Sequence, residues 1–230
     1  MNLLETVDAA RNLLNEPLEA SRSFPDNTSS FWTDSILTTY HNLVQQDLQN
    51  VIVQADEEFF VTASYLGISA GTAEYTLPSD LIKVRRVEDN RDPGSPIEIV
   101  PVRLNDRGIL YSSEHEIRSR SNFQGGYYLR GNQIVLTDTP TFTNASAIRV
   151  IFSKRVADVT AGTNTSEIPA QYHHVTVWGI VQKALFQQQS DPEIATKEYE
   201  KGRMALKMEI ENRQTQRPRR VARAQTWRME

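Results

Sequence analysis

The spacing of apolar residues changes period twice along the 230-residue chain, from helical to strand-like and back, and this limits the fold more than any motif does. Near the start, Leu3, Val7, Ala10 and Leu14 share one face of a short helix that Pro17 ends. Residues 18–30 read as loop. Ser30 or Thr33 then caps a longer helix with the stripe Ile36, Leu37, Tyr40, Leu43, Val44, Leu48, Val51, Ile52 and Ala55. From Phe59 to Val156 the pattern becomes short runs of Val, Ile, Tyr and Phe broken by Gly, Pro, Asn and Asp, as antiparallel strands require. Tyr127–Arg130 and Gln133–Leu136 flank Gly131-Asn132, two residues that suit a tight hairpin turn. Ile148–Phe152 supplies another strand. Residues 103–124 are polar and read as a long excursion of unassigned conformation.

Helical period returns after Pro169, which suits a first helical turn, with Tyr172, Val175, Trp178, Val181 and Leu185 three or four residues apart. Ser190 and Glu193 have capping-box spacing around Pro192, and a last helix runs to about Arg213 on the stripe Ala195, Tyr199, Gly202, Leu206 and Ile210. The short link makes these two helices antiparallel neighbours, and Gly202 suits a close approach between them. Helices at both ends bury their stripes most simply by packing together, so the reading is α+β: a helical bundle carrying an inserted antiparallel β lobe and ending in an extended tail. Its expected parts are residues 1–57 and 168–213 as bundle helices, 58–167 as the β-rich insertion and 214–230 as a basic tail. A chain of this length has room for a substantial core, burying about 70% of its unfolded surface.

Composition narrows the chemistry. The chain has no cysteine, so disulfides and thiolate metal sites are excluded. No apolar run approaches a membrane span, and the acidic start does not read as a secretory signal, so synthesis and folding in the cytoplasm are expected. His173 and His174 are adjacent, about 100° apart on a helix, and do not form the one-faced i, i+4 pair of a helical metal site. They read as packing or hydrogen-bonding residues. Gly67-Ile68-Ser69-Ala70-Gly71 matches the GxSxG nucleophile elbow in letters, but a strand and turn follow it where that motif needs a helix. Phosphate-binding and dinucleotide glycine motifs are absent from the sequence. No catalytic residue, metal ligand or cofactor is assigned, and a hydrolase using Ser69 ranks behind binding functions.

Charge is the strongest signal outside the stripes. From Arg213 to Glu230 six arginines face one acid, a net of +5, which leaves 19 basic and 28 acidic residues, −9, in the rest. Val221, Trp227 and Met229 punctuate the arginines, and Arg, Met and aromatic residues are enriched at interfaces. The tail therefore reads as a segment that orders on docking.

The order of parts resembles the head-to-tail adaptor, or connector, proteins of short-tailed bacteriophages. The resemblance runs through the N-terminal helix pair, Tyr75-Thr76-Leu77-Pro78-Ser79-Asp80 leading into Ile82–Val87, the hairpin at Gly131-Asn132, Ile148–Phe152, and Ile168-Pro169-Ala170-Gln171-Tyr172-His173-His174 at the penultimate helix. It implies a structural virion protein at the head–tail junction, assembled from copies of itself in a usually twelvefold ring under the portal. Such a ring extends the DNA channel, passes genomic DNA without specific binding, and presents a platform for tail or nozzle proteins. It further implies that the C-terminal extension, with Arg213, Arg217, Arg219, Arg220, Val221, Arg223 and Trp227, is the portal anchor. The alternative is a nucleic-acid-binding protein that uses the same basic arm.

Overall fold

A computed structural model of the chain describes residues 1–16, 24–25, 31–102 and 126–215, with side chains to Arg213. The chain is α+β. Its residues divide into two compact units: Met1–Asp56 with Asp158–Glu230, and Glu57–Ala157.

In the first unit, α1 (Leu3–Leu13) starts on a capping box: Asn2 Oδ1 accepts the Glu5 N–H at 2.9 Å and Glu5 Oε2 accepts the Asn2 N–H at 3.0 Å. Thr33 caps α2 (Asp34–Ala55) through the Ile36 N–H. A 3-10 turn at Ala170–Tyr172 leads into α3 (His173–Gln187), and α4 (Glu193–Thr215) follows. Asp191 Oδ1 takes the Glu193 N–H at 2.9 Å, so the acid two residues before the helix serves the end where the spacing pointed to Ser190.

The α4 stripe Ala195, Tyr199, Gly202, Leu206 and Ile210 is buried as its spacing requires. The α2 stripe is broader than its apolar pattern. Leu43 is 44% exposed, while Asp34, His41, Gln45 and Gln49 are buried. The reason is that α2 packs against α1, α3 and α4, so more than one of its faces is covered. The helix α3 touches the same number of neighbours and buries residues nearly all round, among them Val175, Val177, Ile180, Val181 and Ala184.

Two glycines set the approach distances. A Cβ on Gly179 would stand 2.6 Å from Val44 Cγ1 of α2, and one on Gly202 would stand 2.5 Å from Val175 Cγ2 of α3. Either contact is far inside van der Waals range, so these helices sit where only glycine fits. Asn42 on α2 holds the returning chain in the manner of a strand: its Nδ2 donates to Val159 O at 3.1 Å and its Oδ1 accepts the Val159 N–H at 2.9 Å.

The second unit holds two antiparallel sheets. One has the order β1 (Val61–Ile68), β7 (Asn144–Lys154), β3 (Leu81–Asp89), β4 (Ile97–Glu98); the other is β2 (Glu74–Thr76), β6 (Gln133–Leu136), β5 (Tyr127–Arg130). The predicted strand at Ile148–Phe152 is the middle of an 11-residue strand that pairs on both sides, with Ile151 opposite Ala63 and Arg86. The predicted hairpin is present, and Gly131 supplies its left-handed residue at φ 57°. Ile148, Val150 and Phe152 of β7 share one core with Val87 of β3 and Ile134 and Leu136 of β6.

Candidate docking segment and the helix that carries it

Of the expected anchor residues, Arg213 lies in the last turns of α4; Arg217, Arg219, Arg220, Val221, Arg223 and Trp227 lie outside the described residues, as does the excursion at 103–124. What leads into the segment is a clamp. Glu209 Oε2 accepts the Tyr172 hydroxyl at 2.6 Å, and its Oε1 accepts from Gln171 Nε2 at 2.6 Å and from Arg213 Nη2. The carboxylate thus ties the end of α4 to the start of α3.

Electrostatics follow from these contacts. Donation by Tyr172, with Arg213 and Gln171 beside it, holds the Glu209 carboxyl below the usual carboxylate range. Burial, with the Glu209 carboxylate next, pushes the Tyr172 phenol up to about 12. At neutral pH the tyrosine is therefore a fixed donor and the glutamate a fixed acceptor. The i, i+4 spacing of Glu209 and Arg213 could have announced their pairing, whereas nothing local announces Tyr172 or Gln171 as partners.

The histidines occupy different environments. His173 is buried, with Nε2 donating to Ile168 O at 2.8 Å and Nδ1 accepting from the Met1 amino group at 2.9 Å, a neutral tautomer with both nitrogens engaged. His174 is exposed, and its Nδ1 bonds Gln171 O. Burial lowers the pKa of His41 and His173 alike.

Ser69 sits in the connection between β1 and β2, where Gly71 has φ 81° and the Tyr75 hydroxyl donates to backbone oxygens of Ser69 and Thr72. The GxSxG letters therefore run from the last two residues of β1 into a turn that leads to another strand, not to a helix. In an open depression lined by Asp89, Arg91, Asp92, Ser95 and Ile97, Arg91 grips Asp89 through Nε and Nη2. Among the described residues no group of three or more His, Cys, Asp or Glu could hold a metal ion, and no helix is long and apolar enough to cross a membrane.

A helical unit built from both chain ends, a β unit from the middle and a basic C-terminal segment are what a comparison with known families must accommodate. Residues 1–226 match the model of the family described as SU10 adaptor protein. The chain belongs to the SU10 adaptor protein family. It is a phage adaptor, a structural virion protein of a family that is not one of enzymes, working through contacts with other phage head and tail proteins. The family match covers the adaptor's arginines from Arg213 to Arg223 and stops one residue before Trp227. A comparison with curated proteins finds no match.

Proposed function

We propose that this adaptor forms a ring, twelvefold in symmetry, beneath the portal of a short-tailed phage, extends the DNA channel and gives tail or nozzle proteins a platform. In this reading the helical unit is the ring-forming bundle, the β unit is its inserted lobe, and Arg213, Arg217, Arg219, Arg220, Val221, Arg223 and Trp227 form the segment that docks on the portal. The observation that carries the reading is the clamp at the end of α4. Tyr172, Gln171, Glu209 and Arg213 hold the last turns of a 23-residue helix, and the arginine-rich segment continues from that fixed point. A segment tied at its base loses less freedom on docking than one on a loose stem. Its arginines suit an acidic partner surface, where guanidinium–carboxylate pairs are charge-assisted. The −9 balance of the rest of the chain, 28 acidic residues against 19 basic, suits a channel that must let phosphates pass, since the net charge repels them.

The test compares full-length protein with a variant lacking residues 217–230, each mixed with portal rings and with duplex DNA at low and moderate salt. The truncated form is expected to stay folded and to lose portal binding. Equal portal binding by both forms overturns the anchor assignment. Binding to DNA through the tail, with indifference to portals, replaces this reading by that of a nucleic-acid-binding protein with a basic arm.

A further inference from the structure

A closed ring of one kind of subunit joins head to tail, so each subunit needs two different surfaces that fit each other and face away from each other. The helical unit has such a pair. Both α1 and α4 pack on α2 and on α3 and at most marginally on each other, the arrangement of two helices on opposite flanks of the α2–α3 pair.

The two faces differ in chemistry. On α4, Ile194, Met204 and Met208 are 74%, 66% and 63% exposed, an unusual concentration of apolar surface on one helix. With Lys197 and Lys201 they fall within an arc of about 80° at 100° per residue, opposite the buried stripe. Each ammonium has an intrahelical partner, Glu193 for Lys197 and Glu198 for Lys201, but exposed pairs of this kind are weakly held and both lysines remain open to a further carboxylate. On α1, Glu5, Asn12 and Leu13 are exposed and Asp8 is half-buried beside them; the one basic residue of that helix, Arg11, is buried.

We infer that the outer face of α4 on one subunit docks against the outer face of α1 on the next, and that this is the repeating contact of the proposed ring; the inference rests on the ring reading. Charge selects this pairing. Two α4 faces brought together would set Lys197 and Lys201 against their own copies, and two α1 faces would oppose carboxylates, whereas α4 against α1 sets ammonium against carboxylate. Methionine side chains are flexible enough to fill the uneven surface between two helices, which suits Met204 and Met208 to the centre of the contact.

The experiment uses the full chain, with mass photometry and negative-stain imaging of rings formed alone and on portal rings, over a range of protein concentration. Lys197→Glu/Lys201→Glu is expected to raise the concentration for half-assembly by about tenfold or more, and Asp8→Lys/Asn12→Lys to do the same, leaving the Glu5 capping box intact. The variant carrying all four changes is expected to assemble at a lower concentration than either double variant, because ammonium and carboxylate again oppose each other across the contact. Met204→Ser/Met208→Ser should weaken assembly and gain nothing from the α1 changes, because it removes apolar contact without changing charge. Thermal melting of each monomer separates unfolding from lost association, and rescue by the fourfold variant excludes unfolding directly. If the wild type forms rings and the charge variants assemble equally well, the α4–α1 contact is wrong while the ring stands. If the wild type forms no ring, alone or on portals, the ring reading itself falls.

Discussion

Arg11 of α1 and Asp34 of α2 are bonded twice inside the helical unit, Nε and Nη2 both donating to Asp34 Oδ1 at 3.2 and 2.7 Å, while Nη1 donates to Glu16 Oε2 at 2.8 Å. Glu16 Oε1 accepts the Trp32 N–H, so one guanidinium ties together the end of α1 and the approach to α2. Removing one partner leaves buried charge uncompensated. Arg11→Met should cost about 3–5 kcal/mol in urea unfolding, and Arg11→Met/Asp34→Leu should cost less than the sum of the two single changes.

Burial of His41 and His173 gives the helical unit a pH dependence with a definite sign. Both folded-state pKa values lie below the ordinary value near 6.5, so below that pH the unfolded chain binds more protons than the folded one. Stability is complete above about pH 6.5 and declines as the pH falls toward the lowered folded values. The urea midpoint should drop between pH 7.5 and 5.5. In His41→Gln/His173→Gln the drop should be smaller, and an unchanged drop would refute the assignment.

Tyr199 on α4 is buried, and its hydroxyl oxygen has no hydrogen-bond partner among the described residues. Tyr199→Phe removes a desolvated hydroxyl and keeps the ring against Gly179. It should leave the protein as stable as before or more stable by about 1 kcal/mol, read as a shift in thermal midpoint.

Gly202→Ala tests the α3–α4 approach. The methyl would collide with Val175, an overpacking cost of about 1–3 kcal/mol that outweighs the gain of roughly 1 kcal/mol in helix propensity. Combining it with Val175→Ala removes both colliding methyls. The double variant should therefore be less destabilised than the two single costs added together, a coupling measured by a double-mutant cycle.

Where one element's own residues carried the signal, the sequence alone determined the outcome. The stripe from Ala195 to Ile210 made α4, the apolar run around Thr33 to Ala55 made α2, and Gly131-Asn132 between two short strands made the hairpin, because period and turn chemistry act within a few residues. The arginine-rich end was also legible as composition. Tertiary structure decided what depends on which neighbour arrives. Arg11 and His41 are buried while Leu43 is exposed because α2 receives helices on several sides; β1 pairs with β7, some eighty residues away, and not with the next strand in sequence; and Tyr172 finds Glu209 thirty-seven residues on. A local pattern records which face of an element is apolar. The partner that covers the face, and the polar groups that must be matched once it is covered, are set by packing over the whole unit.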